Sequence, residues 1–472
     1  MNDKYKILVS NTVIFAIGNL LVKLISFFLM PLYTSVLTTE QYGVAELLNS
    51  SIEIVLPIGT LSIVDALYRF SIDKDTDHKS LFINSMYVVI IGDAIVAAGC
   101  FALYHLFHYH YSLEFALLYC TTAFYRLTIQ FARGMGHSKR YAMYGVMNAL
   151  LLVGSNYTLL VVFNGGVKEY LLSFAISHGI TGIIAFFVSK EYKFIQLSGF
   201  DLNQLKKMLK YSLPGIPNML SWWVNSVSDR YIILLFCGSG IAGLYTAASK
   251  LPAMVNIVTS IFQQAWQYST AKEIKDKNSN SFFSNVFNAY SFMCLLICTV
   301  LIMLNKFICS VLLQSEFFIA WRYVPILLLA STLGCYSAYF GTFYNAMKDN
   351  RMLMISTVVG AFINIFLNFM LIPSLEGIGA AIATMVSYAV VVLIRVLDIR
   401  KTLSISIDYT KWGIQVAILT IFAIVSSLLN TTCSYIFGMI CLVIIVLFNK
   451  KVFEIGLRSA KAKTIEKKWR RK

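Results

Sequence analysis

The sequence predicts an all-α polytopic membrane protein with about 14 transmembrane helices. Three observations favour this class. First, 58% of the 472 residues are hydrophobic and only 13% are charged, whereas a soluble domain carries about 25% charged residues. Second, apolar runs of roughly 20 residues recur along the chain, and this length of helix crosses a hydrocarbon core of about 30 Å. Third, the basic residues gather in alternate loops, as they do in multi-pass proteins.

The apolar runs give the predicted order of the spans. An even number of crossings places both termini on one side of the membrane. That side carries most loop lysines and arginines, including Lys139, Arg140 and the basic tail, so it is predicted to be the cytoplasm. The N-terminal run is too long for a signal peptide and is expected to be retained as the first span. The spans are predicted to begin near Ser10, Gly43, Leu81, Leu113, Ala142, Glu169, Tyr211, Tyr245, Phe283, Tyr323, Met352, Gly377, Trp412 and Tyr435.

A weak repeat with an offset of about 200 to 212 residues divides the chain. Gln41–Val44 resembles Ala242–Tyr245, and Lys139–Tyr141 resembles Asn350–Met352. Six spans in each half would give two lobes of the same orientation, related by a pseudo-two-fold axis along the membrane normal. The predicted domains are an N-terminal lobe at 1–200 with spans 1–6, a C-terminal lobe at 201–402 with spans 7–12, spans 13–14 at 403–450, and a basic cytoplasmic tail at 451–472.

Charged residues inside the predicted spans are the main functional signal. A charge near mid-bilayer costs about 3 kcal/mol, so such side chains are expected to face protein or water rather than lipid. Around a short uncharged turn at Gly238–Gly240, two apolar runs carry Asp229, Arg230 and Lys250. Arg395 lies near a predicted inner end, where a long side chain is expected to reach the interface. The first half has its own set of intramembrane charges: Lys23, Glu53, Asp93 and Arg126.

These charges allow two interpretations. In the first, opposite charges pair only to lock helices together. The pairs would be Lys23 with Glu53 or Asp93, and Asp229 with Arg230 or Lys250. In the second, the cations neutralise an anionic substrate, and phosphate suits arginine because the planar guanidinium binds two oxygens at once. A buried carboxyl could also take up a proton. The candidate substrate-binding cations are Lys23, Arg126, Arg230 and Lys250, and the candidate ion-coupling acids are Glu53, Asp93 and Asp229.

Polar residues recur at helical spacing on several of the same spans. A repeat near 3.6 residues places them on one stripe of each helix. We interpret these stripes as the lining of a polar chamber inside the helix bundle; the alternative is a packed bundle whose polar groups only bond one another. The candidates for contacts with sugars are Asn19, Asn49, Asn218, Trp222, Asn225, Asn256 and Gln263.

The sequence gives no sign of an enzyme, a cofactor or a metal site. Phosphate-binding glycine loops and hydrolase motifs do not occur, so this chain does not power transport by its own ATP hydrolysis. His105, His108 and His110 lie close together, but aromatic residues typical of a membrane interface surround them. The formal charge of +16 is accounted for by the cytoplasmic loops, so it does not indicate a nucleic-acid partner.

Several ordered motifs resemble one known family. They are Asn11–Gly18, Pro31–Tyr33, Thr39–Gly43, Tyr68–Phe70, Arg133–Gly136 and the stretch from Ser212 to Tyr245 that contains Asp229-Arg230-Tyr231. Together they are similar to the lipid-linked oligosaccharide flippases of bacterial polysaccharide synthesis, for O-antigen or capsule repeat units. That family belongs to the multidrug/oligosaccharidyl-lipid/polysaccharide exporter superfamily.

The resemblance implies a flippase that moves undecaprenyl-pyrophosphate-linked oligosaccharides from the inner to the outer leaflet of the bacterial cytoplasmic (inner) membrane. It implies two six-helix lobes around a cationic central cavity, and ion-coupled alternating access. The implied partners are the lipid-linked substrate, the phospholipid membrane and the polysaccharide polymerase. The alternative is an ion-coupled multidrug or small-metabolite exporter of the same superfamily. A glycan polymerase would need a large catalytic outer loop, and the predicted outer loops are short.

Overall fold

The described part of the chain is built from helices. The computed structural model describes residues 25, 27–73, 76–195, 199–274, 280–347, 349, 351–403, 407–428 and 431–450. No strand occurs in these residues, so the predicted all-α class is confirmed. The helices are α1 (Met30–Val36), α2 (Thr39–Gly59), α3 (Ile63–Ser71), α4 (His78–Phe107), α5 (Ser112–Gly134), α6 (Ser138–Asn156), α7 (Val167–Val188), α8 (Leu202–Ser212), α9 (Ile216–Ala248), α10 (Lys250–Glu273), α11 (Asn280–Met303), α12 (Asn305–Leu312), α13 (Val324–Met347), α14 (Arg351–Thr402), α15 (Tyr409–Leu428) and α16 (Thr431–Phe448).

Several helices begin where a side chain satisfies the first free amides. At α2, the Thr38 hydroxyl accepts from the Gln41 amide, and the Gln41 side chain accepts in return from the Thr38 amide. Asp77 accepts from the Lys79 amide at α4, and Asp201 accepts from two amides at α8. These caps stand at polar positions between apolar runs, so the sequence fixes where the helices start.

The described residues divide into two compact units. The first takes the residues up to 234 together with 238–243, and the second takes 235–237 and the residues from 244 onward. In the first unit, α5 packs against α2, α3, α4, α6 and α7. In the second, α13 packs against α10, α11, α14 and α15. The predicted domain boundaries follow the sequence repeat, and they stay a prediction.

The helices have the length and composition of membrane spans. Among the described residues, 8 helices are long and apolar enough to cross a membrane, or 9 if the bent pair α2 and α3 is one span. Two of these stretches, Ser226–Gln263 and Arg351–Thr402, have 38 and 52 residues, about twice the length that one crossing needs. This is a multi-pass membrane protein, and the total of about 14 crossings stays a prediction.

Helix α14 is a hairpin rather than one straight rod. Its backbone leaves the helical conformation at Glu376, where φ is 50°. Across the fold, the Ser387 hydroxyl donates to the Gly360 carbonyl at 2.7 Å, and the Asn364 amide donates to the Thr384 hydroxyl at 3.3 Å. These pairs approach one another in sequence toward Glu376, so the two halves run antiparallel.

Candidate functional site

A polar cavity lies inside the first unit, between α2, α5 and α7. Its volume is about 270 Å³. Helix α2 contributes mainly polar side chains. Helix α5 contributes three residues from one face, spaced by one helical turn, and α7 contributes two aromatic rings. The lining residues are Asn49, Ser50, Ile52 and Glu53 from α2, Thr122, Tyr125 and Arg126 from α5, and Phe174 and His178 from α7.

An ion pair joins the two charged residues of this cavity. Arg126 Nη2 donates to Glu53 Oε1. The Arg126 side chain is 33% exposed and that of Glu53 is 57% exposed. An ion pair this open contributes roughly 0–1 kcal/mol, so another anion can replace the carboxylate at low cost. Arg126 also acts electrostatically on Asp65 of α3, so two acids act on this one cation.

His178 of α7 forms a hydrogen bond with Thr122 of α5 at the cavity wall. The Thr122 hydroxyl donates its only proton to the Leu118 carbonyl at 2.6 Å. Thr122 Oγ1 therefore accepts from His178 Nδ1 at 2.9 Å, which leaves Nε2 as the second polar atom of the ring. The imidazole stacks on the Tyr125 ring, with centroids 5.0 Å apart and an angle of 8°. His178 was not among the candidates selected from the sequence, and the structure shows that it lines the cavity.

A second polar group lies two turns from Glu53 along α2. Tyr170 Oη donates to Glu46 Oε1 at 2.8 Å, and Tyr42 Oη donates to the same oxygen at 3.3 Å. The Glu46 side chain is buried. Arg230 of α9 lies within electrostatic range of the Tyr42 hydroxyl. Glu46 was not among the candidate residues selected from the sequence.

Helix α9 meets α2 through aromatic side chains that sequence reasoning missed. Tyr231 Oη and Ser51 Oγ are 2.6 Å apart, and Tyr231 Oη also donates to the Leu47 carbonyl at 3.0 Å. Trp223 Nε1 donates to the Ser50 carbonyl at 3.0 Å. Ser50 is a cavity residue, so Trp223 fixes the backbone of the cavity wall. The available signal was Tyr231 itself, which directly follows the Asp229-Arg230 pair.

The structure gathers only part of the predicted set in this cavity. Asn49, Glu53 and Arg126 line it. Asp229 is buried on α9, and Arg230 lies beside it on the same helix. Asp93 lies on α4 and is described below. Lys23 and Asn19 lie outside the described residues, and so do the side chains of Asn218, Trp222 and Asn225.

The remaining predicted residues belong to the second unit, on α10. Lys250 is its first residue. Gln263 accepts from the Thr342 hydroxyl at 3.3 Å and donates to the Tyr290 hydroxyl at 3.5 Å. Cys335 donates weakly to the Asn256 side chain. Lys250, Asn256 and Gln263 therefore stay predictions as substrate contacts.

One expectation about an arginine was wrong. Arg395 was expected to reach the membrane interface, but it is only 5% exposed. Its guanidinium donates to Ser356 Oγ at 2.9 Å, to Thr357 Oγ1 at 2.9 Å and to the Ser337 carbonyl at 2.6 Å. These acceptors lie on α13 and on the first half of the α14 hairpin, and their oxygens satisfy the charge where it stands.

Comparison with known proteins identifies the family. The sequence profile of the polysaccharide biosynthesis protein family matches residues 8–267, which is more than half of the chain. The chain belongs to the polysaccharide biosynthesis protein family. This match confirms the family resemblance predicted from the sequence.

The chain is also 22% identical over 306 residues to the probable low-salt glycan biosynthesis flippase Agl15 of Haloferax volcanii, covering 64% of this chain and 63% of Agl15. The chain thus spans less than two thirds of the length of the curated relatives it matches.

Two solved structures show the fold of this polysaccharide biosynthesis protein. The lipid II flippase MurJ, in an inward closed conformation, matches with a TM-score of 0.70 and 15% identity, over 94% of this chain and 99% of MurJ. An inward-facing multidrug resistance transporter of the MATE family, from the MOP superfamily, matches with a TM-score of 0.64 and 14% identity, over 81% of this chain and 94% of the transporter. The similar proteins are named as flippases and transporters, in agreement with the expectation that the chain is not an enzyme.

Proposed function

We propose that this protein is a flippase for polysaccharide synthesis that moves undecaprenyl-pyrophosphate-linked oligosaccharide repeat units from the inner to the outer leaflet of the bacterial cytoplasmic membrane. The observation that carries the proposal is the Arg126–Glu53 pair, which opens into a polar cavity of a polysaccharide biosynthesis protein. The similar proteins Agl15 and MurJ, named as a glycan biosynthesis flippase and a lipid II flippase, support the same class.

The pyrophosphate of the headgroup would bind Arg126 and displace the Glu53 carboxylate. A guanidinium can bind a phosphate through two parallel hydrogen bonds. The Glu53 carboxylate is held by one hydrogen bond, so binding of phosphate to Arg126 is expected to be at least as strong. The nearby sugar would contact Asn49, Ser50 and the stacked rings of Tyr125 and His178. The cavity volume of about 270 Å³ is near the lower end of ligand pockets. It therefore receives the headgroup region only, while the polyprenyl tail stays in lipid.

The proposed flippase also has an expected substrate type, coupling ion and orientation. The substrate would be an O-antigen or capsule repeat unit, and the polysaccharide polymerase would receive it on the outer side. Turnover would proceed by alternating access and would be ion-coupled through Glu53, Asp93 or Asp229. Lys23, Arg230 and Lys250 would add positive charge along the path of the pyrophosphate. Both termini would lie in the cytoplasm.

Substitution of the cavity pair tests the binding step. In cells that lack the native gene, Arg126→Ala is expected to reduce surface polysaccharide at matched protein level. Loss of a charge-assisted hydrogen bond costs about 1.5–3 kcal/mol, which weakens headgroup binding roughly 10- to 100-fold. The matched control is Arg69→Ala, which breaks the Arg69–Asp73 pair on α3; its two side chains are half exposed and do not line the cavity. Full export by Arg126→Ala would remove Arg126 from the mechanism.

A drug or metabolite exporter remains the second candidate. The specific observations are the fold shared with the MATE transporter and the aromatic wall of Tyr125, Phe174 and His178, which suits a flat cation. Resistance to cationic dyes, without any change in surface polysaccharide, would favour this candidate. Translocation of a fluorescent lipid-linked sugar by vesicles that contain the purified protein would favour the flippase.

A further inference from the structure

The break between α2 and α3 is a strained point of the first unit. The two helices meet at an angle of 69°. Leu61 and Ser62 have φ values of 51° and 49°, a left-handed conformation that side chains with a Cβ adopt at a cost. The Ile63 amide, which would close the next turn onto the Gly59 carbonyl, donates instead to the Thr60 carbonyl at 3.0 Å. The carbonyl end of α2 is therefore turned away from its usual helical donor.

Two other helices press against this carbonyl end. A Cβ on Gly92 of α4 would lie 2.1 Å from the Gly59 carbonyl oxygen. A Cβ on Gly59 would lie 2.1 Å from the Tyr119 hydroxyl of α5. Both glycines are needed for these approaches, because real Cβ atoms do not come so near to an oxygen. The Gly59 backbone and the Tyr119 hydroxyl are therefore brought together at the break.

An intramembrane acid stands directly beside this contact. Asp93 follows Gly92 on α4. Among the described residues, Asp93 Oδ1 and Tyr119 Oη are both buried and have no hydrogen-bond partner. Tyr119 is 0% exposed, and the two groups interact electrostatically. A carboxylate without donors is strongly disfavoured away from water, whereas a carboxylic acid has an O–H to give.

Within the part of the chain that the structure describes, no cation forms an ion pair with Asp93. Helix α5 contributes Tyr119 and Cys120, and α4 itself contributes Cys100 on the same side. The charged residues of the elements packed against α4 are Glu40, Glu46 and Glu53 on α2, Asp65 and Arg69 on α3, Glu114, Arg126 and Arg133 on α5, Lys206, Lys207 and Lys210 on α8, and Glu191 and Lys193 in the turn after α7. The ion pairs of the first unit join Arg69 to Asp73, Arg126 to Glu53 and Lys168 to Glu114, and none of them includes Asp93.

We propose that Asp93, the Tyr119 hydroxyl and the Gly59 carbonyl form a proton-binding site at the break between α2 and α3. The proton resides on Asp93 and keeps this carboxyl neutral beside the Tyr119 hydroxyl and the Gly59 carbonyl, which favours the bent form. Release of the proton leaves a carboxylate that must draw in water, and this separates α4 from the break. Only the role of this site in ion coupling rests on the proposed function. In that role, Asp93 is the coupling acid among the three candidates, and the proton is the coupling ion.

The first test measures proton occupancy on the purified full-length protein. Dicyclohexylcarbodiimide reacts with protonated carboxyls in apolar surroundings, and mass spectrometry locates the modified residue. We expect modification of Asp93 at the acid end of a series from about pH 5 to pH 9, and loss of modification as the pH rises. Absence of modification at every pH would overturn the site. Protection by sodium ions at constant pH would show that a metal cation, rather than a proton, is bound.

The second test follows the break itself by hydrogen exchange of residues 58–64, corrected for the intrinsic rate at each pH. In the unmodified protein, protection is expected to fall as the pH rises. Asp93→Asn, which imitates the protonated acid, is expected to keep the protection at all pH values. The control is Asp77→Asn on the same helix, which preserves the cap of α4 and is expected to behave like the unmodified protein.

Identical exchange in the unmodified protein and in Asp93→Asn at every pH would overturn the link to the break. Neither readout needs transport, so the site and the proposed function fail separately. If Asp93 titrates but vesicle translocation of the lipid-linked sugar does not occur, the proton site stands and the proposed function falls.

Discussion

Two arginines inside the predicted spans are satisfied in different ways. Arg126 faces a cavity and pairs with the exposed carboxylate of Glu53. Arg395 is buried, and its bonds go to hydroxyl and carbonyl oxygens of α13 and α14. An exposed pair can exchange its partner for a ligand, but a guanidinium bonded on all sides cannot do so without unfolding its neighbours. We therefore expect Arg126 to matter for function and Arg395 for stability.

Replacement of Arg395 tests this division. Arg395→Met is expected to lower the free energy of unfolding by roughly 3 kcal/mol, because several hydrogen bonds to a charged group are lost together. The measurement is thermal unfolding in detergent. Arg69→Met, at a half-exposed arginine of α3, is the control and is expected to leave the melting temperature unchanged. Equal melting temperatures for both variants would contradict the structural role.

Glu191 makes a pH-dependent contribution to stability outside the spans. It lies in the turn after α7 and is 1% exposed. Burial raises the pKa of its carboxyl from 4.5 to about 9. The folded protein thus keeps a proton that the unfolded chain has already released. This contribution is complete below about pH 4.5 and is lost as the pH rises toward 9.

Glu191→Gln should therefore raise the melting temperature at pH 8 and leave it unchanged near pH 4.5. The substitution keeps the shape of the side chain but removes the group that must stay protonated. Melting curves across this range, with Glu316→Gln at an exposed glutamate as the control, give the comparison. A melting temperature that falls at pH 8 in Glu191→Gln would contradict the sign of this argument.

At the scale of the elements, glycines decide where helices meet. A Cβ on Gly43 would lie 2.1 Å from the Ser239 carbonyl oxygen, and a Cβ on Gly243 would lie 2.1 Å from the Thr39 carbonyl oxygen. The contact is reciprocal, since each glycine meets the residue four positions before the other. Small residues at this spacing let helix backbones approach closely in membranes.

Alanine at these positions tests the contact. Gly43→Ala is expected to destabilise the protein by about 1–3 kcal/mol, because its Cβ meets backbone that must move. Gly99→Ala on α4 is the matched control, since no atom lies within 4 Å of its added Cβ. That control is expected to be neutral or to stabilise by about 0.5–1 kcal/mol, because alanine favours a helix. Thermal unfolding of both variants would show opposite shifts; a stabilised Gly43→Ala would exclude the tight contact.

At the scale of the whole molecule, orientation is the remaining prediction. The alternation of basic loops predicts that both termini are cytoplasmic. A fluorescent protein fused after Lys472 should therefore fold and fluoresce, whereas alkaline phosphatase at the same position should be inactive. A fusion within the loop at Lys306–Arg322 should give the reverse result. Active phosphatase after Lys472 would place the C-terminus outside and would invalidate the predicted topology.

Composition and one-dimensional pattern alone determined the membrane class and the helical fold, and the resemblance of the ordered motifs indicated the family. The reason is that a helix must have about 20 consecutive apolar residues to cross the bilayer. Such a run can be recognised in the sequence without knowing which other helices pack against it. The sequence even placed Asn49, Glu53 and Arg126 in the candidate set, and the structure brings these three residues to one cavity.

The tertiary structure decided which of these residues meet. Glu53, Arg126 and His178 lie on three helices separated by long stretches of chain, and the face that each helix turns to the others depends on side-chain packing. The same holds for Arg395, whose depth was judged from its distance to a helix end but whose partners come from another helix and from across a hairpin. Pairing is a property of neighbours in space, and the order of residues along the chain does not record it.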